Sequence, residues 1–198
     1  MIRSLILMLP LLIALPLWAA ELRVPPASGG LAQAIAGATP GDVLILEAGR
    51  HAGPIVIDRP LTLIGVHDAI IDGLGQGTVV TIDAPDVTVK GLTITGSGLS
   101  SQDLDAGVKI LKKADRARVE GNRVLGNLHG VDVHGGLDAL VRDNTIEGTR
   151  NPRMNDRGNG IYVSNSPGAV VEGNSVRWVR DGIFSNASRH GTYRNNLF

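Results

Sequence analysis

Cysteine is absent from this 198-residue chain. No disulfide can staple it, and no thiolate can hold a metal. Aromatic residues are scarce, with two Trp, two Tyr and two Phe, which leaves few rings for stacking on sugars. Net charge is lacking too: 19 basic residues stand against 19 acidic ones. A balanced chain of this kind argues against bulk nucleic-acid binding. Ser/His/Asp, phosphate-loop and dinucleotide motifs are all missing. Only Met154 is a methionine outside the first 20 residues.

Glycine, by contrast, is abundant at 26 residues, and the apolar residues recur too regularly for disorder. Four segments repeat one pattern. Gly107-Val108-Lys109-Ile110 leads to Asn122, Gly130-Val131-Asp132-Val133 to Asn144, Gly160-Ile161-Tyr162-Val163 to Asn174, and Gly182-Ile183-Phe184-Ser185 to Asn196. The glycine-to-asparagine step is 15, 14, 14 and 14 residues, and Asn122 to Asn144 and Asn174 to Asn196 are each 22. The middle step of 30 fits the same period with an eight-residue insertion. Short alternating strands repeating near 22 residues, with Asn at a fixed turn, predict an all-β parallel solenoid of about seven coils. The Asn column reads as a structural ladder of amides rather than as chemistry.

The ends read differently. Residues 1–20 have the layout of a secretory signal peptide: a short basic start with Arg3, an apolar stretch from Leu5 to Leu17, and small residues at Ala19 and Ala20. A retained anchor is the alternative, but the stretch is short for a span and carries Pro10 and Pro16. After cleavage the chain is expected in the periplasm, near −1 in charge without Arg3, with no bulk membrane binding. Residues 21–42 form an N-terminal cap containing a short helix over Leu31–Ala36, ended by Gly37 and Pro40. Residues 43–198 form the solenoid, which stops inside a repeat and so reads as truncated, with an open last coil.

Alternation in the Gly-x-x-x strand points Val108, Val131, Ile161 and Ile183 inward. Lys109, Asp132, Tyr162 and Phe184 then form an outward stack, with His134, Ser164 and Asn186 beside it. Exposed Tyr162 and Phe184 suit contact with a protein or sugar surface; cover by a loop or a partner coil is the alternative. Two insertions, Gly96–Ala106 and Thr149–Gly158, are expected to gather on one face, either as a binding face or as tolerated excursions. His129 and His134 lie in one coil, and Met154 lies in the second insertion. These three are the candidate metal ligands by residue type, copper being the ion they suit; coincidental placement is the alternative, since no His-x-x-His or Met-rich cluster supports them. For acid–base chemistry the best local candidates are Asp132-x-His134, then Asp103 and Asp105, then Asp181 beside Arg180. None recurs on adjacent coils to make a pair.

The stretches Pro40–Leu46, Gly53–Gly65, Ile71–Gly73, Ala84–Ile94 and Arg180–Phe184 resemble the N-terminal coils of the NosD family. The Asp181-Gly182-Ile183-Phe184 coil and the Ser-rich loop after Gly96 are the more specific parts. The resemblance runs from about Val24 to the last residue and implies a right-handed parallel β-helix in the periplasm. It further implies an accessory factor of nitrous oxide reductase that works with an ABC transporter, a permease with its ATPase, and helps build the reductase's copper–sulfide centre. Copper handling and a copper donor protein as partner follow from the same resemblance; no copper ligand carries over residue by residue. Family members continue for many more coils. The expected role is therefore a non-enzymatic docking scaffold, with Asp132, Tyr162, Phe184 and Arg180 as partner contacts. The rival is a carbohydrate-active lyase or epimerase on the same fold.

Overall fold

The computed structural model describes residues 19–198; the leader read over residues 1–20 lies outside them except for its last two residues. The chain winds through three parallel sheets in a fixed order. The first sheet holds eight strands: Glu21–Val24, Val43–Leu46, Thr62–Gly65, Thr88–Lys90, Arg118–Glu120, Leu140–Arg142, Val170–Glu172 and Thr192–Arg194. The second holds six: Gly49–Ala52, Ala69–Asp72, Thr93–Thr95, Arg123–Leu125, Thr145–Glu147 and Ser175–Arg177. The third also holds six: Ile55–Ile57, Val80–Ile82, Ala106–Ile110, His129–His134, Ile161–Ser164 and Ile183–Asn186. Six complete coils result, with an extra first-sheet strand at each end, against the seven expected.

Each coil lays its inward side chains on those of the next. In the first sheet Leu44, Leu63, Val89, Val119, Val141 and Val171 stack in register, and all are buried. In the second sheet the inward column runs His51, Ile71, Ile94, Val124, Ile146 and Val176. Burial of one such side chain is worth about 1.5–3 kcal/mol, so the stack is held by many small, nearest-neighbour gains. His51 is the exception in this column. Its Nε2 lies 2.9 Å from the Glu47 carbonyl oxygen, and it fills a place that isoleucine or valine takes elsewhere.

The corners are built by left-handed residues. Gly91, Gly121, Asp143, Gly173 and Asn195 each have positive φ immediately before the ladder position. Glycine takes this conformation without strain, and Asp and Asn tolerate it best among the rest. The ladder itself is continuous. The Asn122 amide donates to Asn144 Oδ1 at 3.1 Å, Asn144 to Asn174 at 2.9 Å, and Asn174 to Asn196 at 2.9 Å. Each Asn also donates across to a carbonyl of the coil below, from Val89 to Val171. Leu92 occupies the first rung, its N–H bonding Asn122 Oδ1 at 3.0 Å.

Helix Gly30–Gly37 covers one end of the core with Leu31 and Ile35 buried, as expected of a cap. The Arg59 guanidinium donates to the Ala36 and Ala38 carbonyl oxygens at 3.1 and 2.9 Å, satisfying the free carbonyls at its end. The preceding strand Glu21–Val24, read from sequence as part of the cap, pairs with Val43–Leu46 and continues the first sheet. Along the outer face of that sheet, Lys90, Glu120, Arg142, Glu172 and Arg194 alternate in sign from coil to coil. Arg142 lies 3.0 Å from Glu120, and Arg194 lies 2.6 Å from Glu172. Stacked coils bring identical positions about 4.8 Å apart, so alternation removes like-charge repulsion along the column.

Candidate functional site

Both insertions leave the barrel at the same corner, between the second and third sheets, two coils apart. Between them, the chain of the intervening coil turns tightly into His129. A cleft of about 470 Å³ opens there, walled by Leu99 and Leu104 of the first insertion, by Asp156 and Arg157 of the second, and by Asn159 just after it. Its floor is His129, Tyr162 and Phe184, with Arg180 from the next coil at the side. The expectation that the insertions share a face is met.

His129 is oriented by its neighbours. The Asn159 backbone N–H donates to its Nδ1 at 3.0 Å, so the ring proton of the neutral imidazole is on Nε2. The Asn159 side-chain oxygen accepts from Arg180 Nη2 at 2.9 Å, and Arg180 Nε donates to Asp181 at 2.8 Å. Gly158 allows this approach: a β-carbon there would collide with the Leu128 carbonyl oxygen and crowd the His129 ring. Burial, and then the positive charges of Arg180 and Lys109, push the His129 pKa down to about 4, with Asp105 opposing. Arg157 donates to the Asn151 carbonyl oxygen at 2.6 Å. Its guanidinium and that of Arg150 lie 5.9 and 5.3 Å from the Trp178 ring centroid, a cation–π arrangement that holds the second insertion in place.

The outward column of the third sheet runs Lys109, Asp132, Tyr162, Phe184 in register, as read from alternation. Tyr162 and Phe184 rings are 5.5 Å apart, and Phe184 is 44% exposed. Asp132 requires a correction. It faces outward yet is 0% exposed, because Lys109 and His134 close over it with Tyr162 on the next rung. Lys109 Nζ is 3.7 Å and His134 Nδ1 3.8 Å from its carboxylate, too long for hydrogen bonds, and both carboxylate oxygens lack a partner. Burial therefore raises its pKa to about 6, against the pull of Lys109 and His134. Asp132 is fully buried and cannot touch a partner directly, and neither Asp132 nor the exposed His134 lines the cleft.

His129, His134 and Met154 do not converge. The two histidines are five residues apart on one extended strand, about 16 Å by strand rise. Met154, 59% exposed, starts a 3₁₀ turn, Met154–Asp156, and borders a separate hollow with Arg153. Among the described residues, no group of three or more His, Asp or Glu could hold a metal ion. A copper site does not fit these side chains. Sequence reasoning did not single out Arg157 and Asn159, which orient the cleft; an Arg and an Asn in a polar loop carry no periodic signal.

Three parallel sheets, an asparagine ladder and two insertions at one corner define a parallel β-helix with a cleft on one side. The family described as the right handed beta helix region matches residues 66–198, and the chain belongs to it. The curated relatives are NosD proteins, as the resemblance implied. "Probable ABC transporter binding protein NosD" of Pseudomonas aeruginosa is 42% identical over 137 residues, 69% of this chain and 32% of that protein. Its namesake in Stutzerimonas stutzeri is 41% identical over 137 residues, 69% of this chain and 31% of that protein. The chain thus spans about a third of the length of these relatives. Among solved structures, a pectin methylesterase mutant bound to a hexasaccharide is similar at a TM-score of 0.58 and 21% identity, covering 79% of this chain and 54% of its own. The ORF18 protein of Geobacillus virus E2 is similar at 0.61 and 16%, covering 88% and 41%. At such identities the likeness shows the fold alone.

Proposed function

We propose that the chain is the N-terminal part of a non-enzymatic periplasmic accessory protein. It works with an ABC transporter permease and ATPase during maturation of the copper–sulfide centre of nitrous oxide reductase. The observation that carries this reading is the identity to NosD proteins, which extends over most of the coils. The third-sheet face supports a docking role: Tyr162 and Phe184 form a partly exposed aromatic pair, flanked by Arg180, on the floor of a cleft two loops build. Copper coordination by His129, His134 and Met154 is not part of the reading, because they lie apart; copper enters as cargo handled with a donor protein. Phe184, Tyr162 and Arg180 remain the contact residues, whereas Asp132 acts from beneath them.

Deletion of the encoding gene should leave nitrous oxide reductase that is made and exported but lacks the copper–sulfide centre, read by its visible absorption and copper content. Complementation with wild type should restore both, and complementation with the Tyr162→Ala, Phe184→Ala double variant should restore markedly less. A deletion strain whose reductase carries a full copper complement would overturn the proposal.

A further inference from the structure

The cleft over His129 carries chemistry that docking alone does not use. We propose that it is a binding site for a small anion with a ring-shaped body: its carboxylate or similar oxyanion meets His129, Arg157 and Arg180, and its flat face lies against Tyr162 and Phe184. This inference does not rest on the transporter reading, since the isolated chain contains every residue it needs.

The donors are counted from the hydrogen bonds already made. Arg180 spends Nε on Asp181 and Nη2 on Asn159, leaving Nη1 free. Arg157 spends only Nε, on the Asn151 carbonyl oxygen, and it makes no ion pair among the described residues. His129 has its Nδ1 filled by the Asn159 N–H, so Nε2 presents a proton with no protein partner. Against these donors the lining holds one carboxylate, Asp156. A guanidinium fork matches a carboxylate in two parallel hydrogen bonds, and a neutral imidazole donor adds a third without the cost of desolvating another charge. Leu99, Leu104 and Leu128 complete an apolar wall beside the aromatic pair. A volume of about 470 Å³ falls in the range of small-ligand sites, ~300–1,000 Å³, and excludes a folded partner domain.

Benzoate and galacturonate, each against its uncharged counterpart, benzamide and galactose, test the idea with sulfate as an anion lacking a ring. Titrations of the purified chain would be followed by calorimetry and by the His129 ring resonances. At least one ring carboxylate should saturate below about 10 mM and shift those resonances, with its neutral counterpart weaker by roughly tenfold or more, the loss expected for one charge-assisted hydrogen bond. Arg157→Gln should weaken the carboxylate by about tenfold, and Arg157→Gln with Arg180→Gln further still. Arg157 holds one backbone carbonyl and shares the Trp178 ring with Arg150, which stays in place in the variant, so Arg157→Gln keeps the test open if loss of Arg180 prevents folding. Tyr162→Ala should weaken the ring carboxylate and leave sulfate unchanged. Equal binding of benzoate and benzamide, no effect of Arg157→Gln, or no saturable binding of any carboxylate would each overturn the proposal.

Discussion

Asp132 and His129 are three residues apart on one strand, and burial moves their protons in opposite directions. Asp132 holds its proton up to about pH 6 in the folded chain, above its unfolded range near 3.9. The folded state therefore binds more protons between those values, and stability from this residue falls as pH rises through the window. His129 refuses its proton down to about pH 4, below its unfolded value near 6.5. Here the unfolded state binds more protons, so stability rises with pH between about 4 and 6.5. The two slopes oppose each other and partly cancel in the wild type. Asp132→Asn should gain on wild type by on the order of 2 kcal/mol between pH 4 and 7. His129→Gln should lose by a similar amount over the same range. Urea unfolding at pH 4.5, 5.5 and 7 reads both changes; three parallel pH profiles would show that neither side chain titrates differently on folding.

At the scale of the strand and the turn, the asparagine ladder does what a row of isolated caps cannot: each amide satisfies both its own coil and the next. Asn144 accepts from the Asn122 N–H and side-chain amide at 3.0 and 3.1 Å and donates to the Val119 carbonyl oxygen at 2.9 Å. Asn144→Ala would strand these buried groups, each costing about 1–3 kcal/mol, for a total of about 4 kcal/mol. Asn196→Ala, on the last rung and half-exposed, should cost about 1 kcal/mol because water replaces its partners. Equal costs in denaturant melts would mean the ladder is not cooperative with burial. This ladder was legible because the same residue recurs at a fixed step. The bonds at the other two corners were not: between the second and third sheets Asn127 accepts from the Ser97 N–H at 3.0 Å, and between the third and first Ser166 accepts from the Gly135 N–H at 2.9 Å while its own N–H reaches Ser188 at 3.1 Å. Each of these corner bonds links only two or three coils, too few for a repeated identity to stand out in the sequence. Strand Gly49–Ala52 carries little signal in the sequence for a related reason, since His51 stands where every other coil shows an aliphatic residue. Alternation placed Asp132 on the outward side correctly, but whether neighbours close over an outward residue depends on side chains one rung away, which a single strand's pattern does not contain. The cleft itself needed three dimensions, because its walls come from loops two coils apart.

The whole molecule is a stack in which each coil is covered only by its neighbours, so stability is expected to vary along the axis rather than be shared evenly. In the central coils Val119, Val124, Val131 and Val133 are sealed from solvent. In the last coil the equivalent column ends in Tyr193, 37% exposed, with Leu197 and Phe198 at 69% and 68%. Within residues 19–198, removing that coil from the stack forfeits one interface, whereas opening a central coil forfeits two. The cleft spans both regimes: His129 belongs to the sealed part, while Phe184 lies on the edge strand of the third sheet and Arg180 just before it. Native-state hydrogen exchange should therefore show the amides of Val131 and Val133 protected on the order of 100-fold more than those of Ile183–Asn186 and Thr192–Arg194. A ligand gripping His129, Arg157 and Arg180 together would tie the weaker coils to the stronger ones, so benzoate or galacturonate, whichever binds, should slow exchange in Ile183–Asn186 and leave Val43–Leu46 unchanged. Uniform protection along the stack would mean that the chain unfolds as one unit, and the gradient would then have to be abandoned.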